Sequence, residues 1–468
     1  MSFNEVNEKI GKYRWTICSL VFFATTINYL DRNVLGLLKS TLAANGVFGP
    51  DKATQEQYYS WVVMAFQIAY AVGMTLAGRL IDWLGTKRGY ALSLLGWSLA
   101  AIGHAFGHTT FTFGIWRAAL GLTEAGNFPA ANKTMAVWFP KKERAFATGI
   151  YNSGANIGAI LAPLTVPWIA THWGWEWAFV LTGAIGLIWL FFWFRTYATP
   201  DDKLKAGILT QAEYNFIHSD VDEQAAEQKS EQKEKVSWFK LLTYRQTWSF
   251  FLGKLMTDPV WWFYLFWLPA FLDGENTRKV AAYMAANPSF EGNTANIPGV
   301  IMWPFAVAVV YTIATVGSII GGWLPKHLIN GGMNANKARK LSMFIFALFP
   351  LSVLLASKLG EINTWYAVFT IALACAAHQA WSANIFTTVS DMFPKKTVAS
   401  VTGIGGMAGA VGGILISWSA GLLLKHFAAL NKIEVGYGIM FMICGVAYIL
   451  AWLVMHLLVP KFKKIEDL

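Results

Sequence analysis

A few ionisable and amide side chains stand inside long apolar runs of this chain, and they are where chemistry would be done. One run holds Asn28-Tyr29-Leu30-Asp31-Arg32-Asn33, another Arg117 and Glu124, a third Lys254 and Asp258, and a fourth His378 and Gln379. An ionised side chain in an apolar interior costs at least roughly 2.5–3.5 kcal/mol by insertion scales, so each needs a partner, a cavity or a purpose. Arg117 and Glu124 are seven residues apart. On a helix they differ by only about 20° and lie about 10 Å apart along the axis, so both are expected to face one cavity. Arginine keeps its charge and grips a carboxylate with a planar fork, whereas a carboxylate in low dielectric can hold a proton near neutral pH. Asp31, Arg32, Arg117 and Glu124 therefore supply an anion site beside a proton site. The competing reading is that the four only pair across helices and neutralise one another.

Trp261-Trp262 beside Asp258, and Trp381 beside Gln379 and Asn384, put flat apolar faces next to hydrogen-bonding groups. A sugar presents both kinds of surface. The alternative is that these tryptophans are interface anchors, as tryptophan often is at membrane boundaries. Tyr29, Tyr70 and Asn156 join the candidates for the binding wall. His104 and His108 have the i,i+4 spacing of a metal pair but lack an acidic third ligand, so no metal is expected. Cys18, Cys375 and Cys444 lie in apolar runs without partner spacing, which suggests neither a disulfide framework nor zinc.

The elements that must position these residues follow from composition. Of 468 residues 55% are hydrophobic and 14% charged, whereas a water-soluble globule needs roughly 25% charged. An ordinary cytosolic enzyme, intrinsic disorder and a polar solenoid are excluded. Apolar stretches read as spans near 15–38, 58–80, 90–108, 111–134, 144–168, 174–197, 246–272, 297–325, 338–358, 362–390, 398–425 and 434–458. Of the 37 Lys and Arg, 27 fall on one side of this topology, 7 on the other and 3 within spans. That asymmetry places both termini in the cytoplasm and reads the +10 net charge as a topology signal, not a nucleic-acid footprint. The connection at 198–245 contains Thr210-Gln-Ala-Glu213, the spelling of a capping box that could start a short helix. It separates an N-terminal bundle, 1–197, from a C-terminal one, 246–468. A second polar insert is expected outside, at 273–296.

The halves are related. Residues 139–161 laid on 393–415 agree at eleven of twenty-three positions without a gap, at an offset of 254, including Phe-Pro-Lys-Lys in register. Parallel repeats of this kind are the organisation of the major facilitator transporters. Gly78-Arg79-Leu80-Ile81-Asp82-Trp83-Leu84-Gly85-Thr86-Lys87-Arg88 resembles that superfamily's loop signature. Its glycines permit a tight turn and close helix approach, and Asp82 can hold a basic group or helix N-terminus in one conformation and release it in the other. The pseudo-equivalent stretch at 321–332 lacks the acid. Glycines at 149, 154 and 158 and at 405, 409, 412 and 413 read as close helix packing.

Beyond the loop, the chain resembles the anion:cation symporter branch, and within it the bacterial hexuronate transporters. The resemblance rests on Asn28-Tyr29-x-Asp31-Arg32, Arg117 to Glu124 followed by Pro129, Trp138-Phe139-Pro140-x-x-Glu143-Arg144, Asp258-Pro-Val-Trp261-Trp262 and Ala377-His378-Gln379-Ala380. It implies proton-driven uptake of glucuronate, galacturonate or a related sugar acid. It also implies proton handling by Asp31 and Glu124, with Arg32 and Arg117 serving the substrate carboxylate or the acid. Some hexuronate transporters carry an uncharged residue at the Asp31 position, so Asp31 is either a proton carrier or an arginine's partner.

These readings converge on an all-α membrane protein of twelve transmembrane helices in two pseudo-symmetric six-helix bundles, with a midplane site and alternating access. The expected setting is a bacterial inner membrane. The expected partners are a sugar-acid anion, protons and the bilayer, with no cofactor, no nucleic acid and a monomeric state. Adding 254 to Glu124 lands on His378, which suggests charges in the first half and neutral groups, His378, Gln379 and Asn384, reading hydroxyls in the second. An aldonate such as galactonate, or another organic anion, is the alternative substrate. A channel would lack the duplicated halves and the switch loop, and a membrane-embedded transferase would need a catalytic His or Asp with a cofactor pocket, for which His378 is the only candidate.

Overall fold

The protein is described by a computed structural model over residues 10–219 and 236–465. Runs of about 20 apolar residues in a bilayer must satisfy their own backbone groups, so they coil into helices. The first half comprises α1 (Tyr13–Leu37), α2 (Lys52–Gly103), α3 (Thr110–Glu124), α4 (Asn127–Trp138), α5 (Lys141–Trp173) and α6 (Trp175–Thr196). α7 (Gln211–Ile217) lies in the connection. The second half comprises α8 (Arg245–Ala286), α9 (Trp303–Asn330), α10 (Ala335–Leu348), α11 (Thr364–Met392), α12 (Lys395–Ala429) and α13 (Ile433–Leu458).

These helices make twelve crossings, because α2 crosses twice and α3 with α4 crosses once. Among the described residues, seven helical segments are long and apolar enough to span on composition alone, and the double-length α2 is one of them. The crossings that fail that test are α1, α3 with α4, α8 and α11. These carry Asp31 and Arg32, Arg117 and Glu124, Lys254 and Asp258, and His378 and Gln379 respectively. α3 and α4, at 15 and 12 residues, fail on length, while α1, α8 and α11 are long enough and fall short in apolarity where they hold embedded polar groups.

Several local expectations change. The turn in the 78–88 signature is made by Gly85 alone, the one non-helical residue in α2, at φ 76° and ψ 157°. Gly78 is helical, and a Cβ there would touch nothing. α8 continues to Ala286 instead of ending near 272. Residues 273–286 are rich in helix formers and include an Arg278–Glu275 pair at 2.5 Å. The capping box at 210–213 is half-formed: Thr210 accepts from the Glu213 amide at 3.2 Å. The Glu213 carboxylate instead caps α1, accepting from the amides of Tyr13 at 3.2 Å and Arg14 at 3.1 Å. Arg14 also pairs with Glu143 of α5 at 2.9 Å, so three segments are tied at one point.

Packing repeats between the halves. α1 lies against α5 as α8 lies against α12, and α2 lies against α3 as α9 lies against α11. Gly158 and Gly412, separated by the repeat offset, do the same job. A Cβ at Gly158 would meet the Tyr29 Cβ of α1 at 2.9 Å, and one at Gly412 would meet the Leu255 carbonyl of α8 at 2.5 Å. The halves meet on the face away from the chain termini. There Tyr59 donates to the Phe266 carbonyl at 2.6 Å, Lys425 donates to Gln57 at 2.7 Å, and Tyr59 packs edge-on to Trp267 at 5.4 Å.

Candidate functional site

Midway along α1, α8 and α11 the two halves enclose a cavity of about 240 Å³. That is below the roughly 300–1,000 Å³ usual for drug-sized ligands and suits a small solute. The first half contributes Tyr29 and Arg32. The second contributes Lys254, Asp258, Trp261, Trp262 and Leu265 from α8, and His378, Gln379 and Ser382 from α11. The α8 set recurs every three or four residues and so forms one stripe of the helix, with Pro259 inside it.

Arg32 is the hub. Its Nε donates to Glu124 Oε2 at 2.9 Å and its Nη2 lies 2.9 Å from the same oxygen, with the two side chains 4% and 0% exposed. Aromatic rings surround the guanidinium: Tyr29 at 4.8 Å, Tyr70 at 4.9 Å, Phe66 at 5.3 Å and Trp262 at 5.7 Å. The last of these belongs to the other half, so the cation sits where the halves converge. Arg117 lies one layer deeper. It donates from Nη2 to the Arg32 carbonyl at 3.0 Å and rests over Phe66 and Phe266 at 4.9 and 5.7 Å. Its Nε and Nη1, and Oε1 of Glu124, make no hydrogen bond among the described residues.

Arg117 and Glu124 were expected to open onto the cavity together. They are instead fully buried behind its wall, because Arg32 and its collar of rings stand between. Asp31 is also buried and makes no ion pair among the described residues. One residue along a helix turns the side chain by about 100°, which separates Asp31 from the Arg32 side of α1.

In the second half His378 stacks on Trp261 at 5.2 Å and shares a 2.5 Å hydrogen bond between Nδ1 and the Tyr448 hydroxyl. Gln379 lines the cavity beside it. Asn384 does not line it: its amide donates to the Gly321 carbonyl of α9 at 2.7 Å and to Ala380 at 2.9 Å, a tie between helices. Asn156 sits half-buried on α5, outside the lining. Tyr70 touches the site through Arg32 and through Trp262 at 6.5 Å. The second half is not neutral, as had been expected, because Lys254 and Asp258 form a 2.6 Å ion pair in the cavity wall. Tyr448, Phe66 and Ser382 escaped sequence reasoning, since each is an ordinary residue in an apolar helix whose role depends on a partner from another element.

At the signature loop Asp82 pairs with Lys133 of α4 at 2.7 Å. The Lys87 carbonyl accepts from the Trp193 indole at 3.0 Å, and the Arg88 side chain is exposed. Asp82 thus holds a basic side chain on the terminal face.

A family model described as Major Facilitator Superfamily matches residues 21–417. The hexuronate transporter of Escherichia coli (strain K12) is 28% identical over 463 residues, covering 98% of this chain and 96% of that one. The D-galactonate transporter of Escherichia coli O6:H1 is 28% identical over 429 residues, 90% of this chain and 91% of that one. In three dimensions the inward open xylose transporter of E. coli is similar at a TM-score of 0.69 with 14% identity, covering 96% of this chain and 97% of that one, a likeness of fold. With its duplicated packing, signature loop and central cavity, the chain belongs to the Major Facilitator Superfamily, as a multi-pass membrane transporter and not an enzyme.

Proposed function

We propose that this protein imports a sugar acid, a hexuronate such as glucuronate or galacturonate, by proton symport through alternating access. The observation that carries the reading is the Arg32–Glu124 pair at the edge of a monosaccharide-sized cavity. With Glu124 ionised, its carboxylate occupies the Arg32 fork. With Glu124 protonated, the fork is free for a substrate carboxylate, so proton and anion binding favour one another. Trp261 and Trp262 offer flat faces to the sugar, and Gln379 and His378 offer hydrogen bonds to its hydroxyls. Similarity to the hexuronate transporter over nearly the whole chain agrees with that class. The D-galactonate relative, together with the acidic Asp31, favours an open-chain aldonate as the second reading.

The setting we assign is a bacterial cytoplasmic membrane, with both termini cytoplasmic, a monomeric transporter, and bundles bounded at 1–197 and 246–468. Counterflow of labelled galacturonate, glucuronate and galactonate in proteoliposomes, with and without a pH gradient, tests the proposal. Exchange accelerated by internal substrate and uphill uptake driven by inward protons are expected. Exchange that ignores the gradient refutes proton symport, and no exchange of any sugar acid refutes the substrate class.

A further inference from the structure

The Lys254–Asp258 pair has a polarity that bears on which acids the cavity accepts. Its ammonium and carboxylate lie 2.6 Å apart, but they are not presented equally: the Lys254 side chain is 6% exposed and that of Asp258 23%. Lys254 also lines the cavity, but its Nζ lies 4.3 Å from the Phe386 ring centroid, which covers it. Asp258 packs against α12, where a Cβ on Gly409 would meet Asp258 Cγ at 3.0 Å. Both groups line the cavity, and the anion is the more exposed of the two. Asp258 and Trp262 are one helical turn apart, and Trp262 lies against Arg32 at 5.7 Å. A solute bridging the site from Arg32 along the α8 stripe therefore meets a cation first and a carboxylate next.

On the reading of the cavity as a sugar-acid site, we propose that Asp258 is a specificity filter that admits sugar acids with one carboxylate and rejects those with two. A monoacid places its carboxylate on Arg32 and its hydroxyls near Asp258, which accepts hydrogen bonds from them. A six-carbon diacid brings a second anion against Asp258, and like charges brought together in an interface cost several kcal/mol. Lys254 cannot repay this, because its charge is already engaged by Asp258. Without the Asp258 charge, Lys254 becomes a second carboxylate partner.

The test is competition for labelled galacturonate exchange in proteoliposomes by unlabelled galactarate, a diacid, and galactonate, its open-chain monoacid counterpart. In the wild type, galactarate should inhibit at least about tenfold more weakly than galacturonate. Asp258→Asn should narrow that gap by about tenfold and leave the galactonate-to-galacturonate ratio unchanged. The double variant Lys254→Gln with Asp258→Asn should restore the gap. Equal inhibition by galactarate in the wild type overturns the filter without any variant. So does a parallel gain for galactonate, which would assign the effect to space, and so does a gain that survives loss of Lys254. Absence of exchange with every sugar acid in the wild type removes the transport reading itself and the filter with it.

Discussion

Replacing Glu124 by glutamine keeps the shape of the side chain and removes the charge that occupies Arg32. In the structure Arg32 directs Nε and Nη2 to one Glu124 oxygen, each at 2.9 Å, in a pair almost sealed from solvent. A hydrogen bond to a charged group is worth about 1.5–3 kcal/mol. The two contacts share one acceptor, so we assign one such increment to the pair's competition with substrate. Removing it should tighten substrate binding by about tenfold to a hundredfold at a pH where wild-type Glu124 is ionised. Protonation frees Arg32, so wild-type affinity should fall as pH rises, whereas the affinity of Glu124→Gln should stay flat. Binding of labelled galacturonate to purified protein at several pH values measures this, and counterflow with and without a pH gradient measures coupling. Glu124→Gln should exchange substrate but fail to accumulate it. Unimpaired uphill uptake by the variant, or a pH dependence equal to that of the wild type, would refute the competition of Glu124 and substrate for Arg32.

Three further outcomes are expected. Lysine at Arg32 retains charge but loses the planar fork, so Arg32→Lys should raise the apparent KM for a sugar acid at least tenfold; a wild-type KM would assign Arg32 to charge balance alone. His378→Ala and Gln379→Ala should blur the ratio of glucuronate to galacturonate uptake while proton-driven accumulation persists, because a site built to hydrogen-bond hydroxyls loses discrimination when its donors go; an unchanged ratio with reduced thermal stability would place both residues in packing, His378 through its Tyr448 bond. Tyr59→Phe removes the bond to the Phe266 carbonyl across the closed face; at about 1 kcal/mol it should shift the equilibrium roughly fivefold toward opening on that face, read as faster thiol labelling of Ser382→Cys from that side, and unchanged labelling would exclude this bond from the seal.

Most of the architecture was legible because it rests on rules that act locally along the chain. Apolar run length set the crossings, and the 254 offset marked the duplication, which in three dimensions packs Gly158 of α5 against α1 and Gly412 of α12 against α8. The exceptions are places where local spelling has more than one physical outlet. Gly78 and Gly85 look alike in sequence, yet only Gly85 takes positive φ, because a single left-handed residue reverses the chain and the others can remain helical. Glu213 can close its own capping box or satisfy another helix. With the Tyr13 and Arg14 amides within 3.2 Å, it does the latter.

The cavity was less legible, and the reason is that helical periodicity gives the direction of a side chain without saying what stands in front of it. The seven-residue spacing of Arg117 and Glu124 put them on one face of a crossing, but Arg32 with Tyr29, Phe66 and Tyr70 lies between that face and the cavity. Which of two paired charges is the more exposed is harder still. The i,i+4 spacing of Lys254 and Asp258 allows a pair and is silent on its polarity. That polarity comes from α11, whose Phe386 lies under the Lys254 ammonium, and from α12, where Gly409 leaves room for the Asp258 carboxylate. Selectivity among sugar acids would then depend on helices that supply no charge of their own, through the orientation they impose on charges carried by α8. On this reasoning Gly409→Ala, whose methyl would meet the Asp258 carboxylate and displace it without changing any charge, should shift the preference for monoacids over diacids. The galactarate-to-galacturonate inhibition ratio measures that shift, and a ratio unchanged in a variant that still exchanges galacturonate would show that α12 does not aim the Asp258 carboxylate.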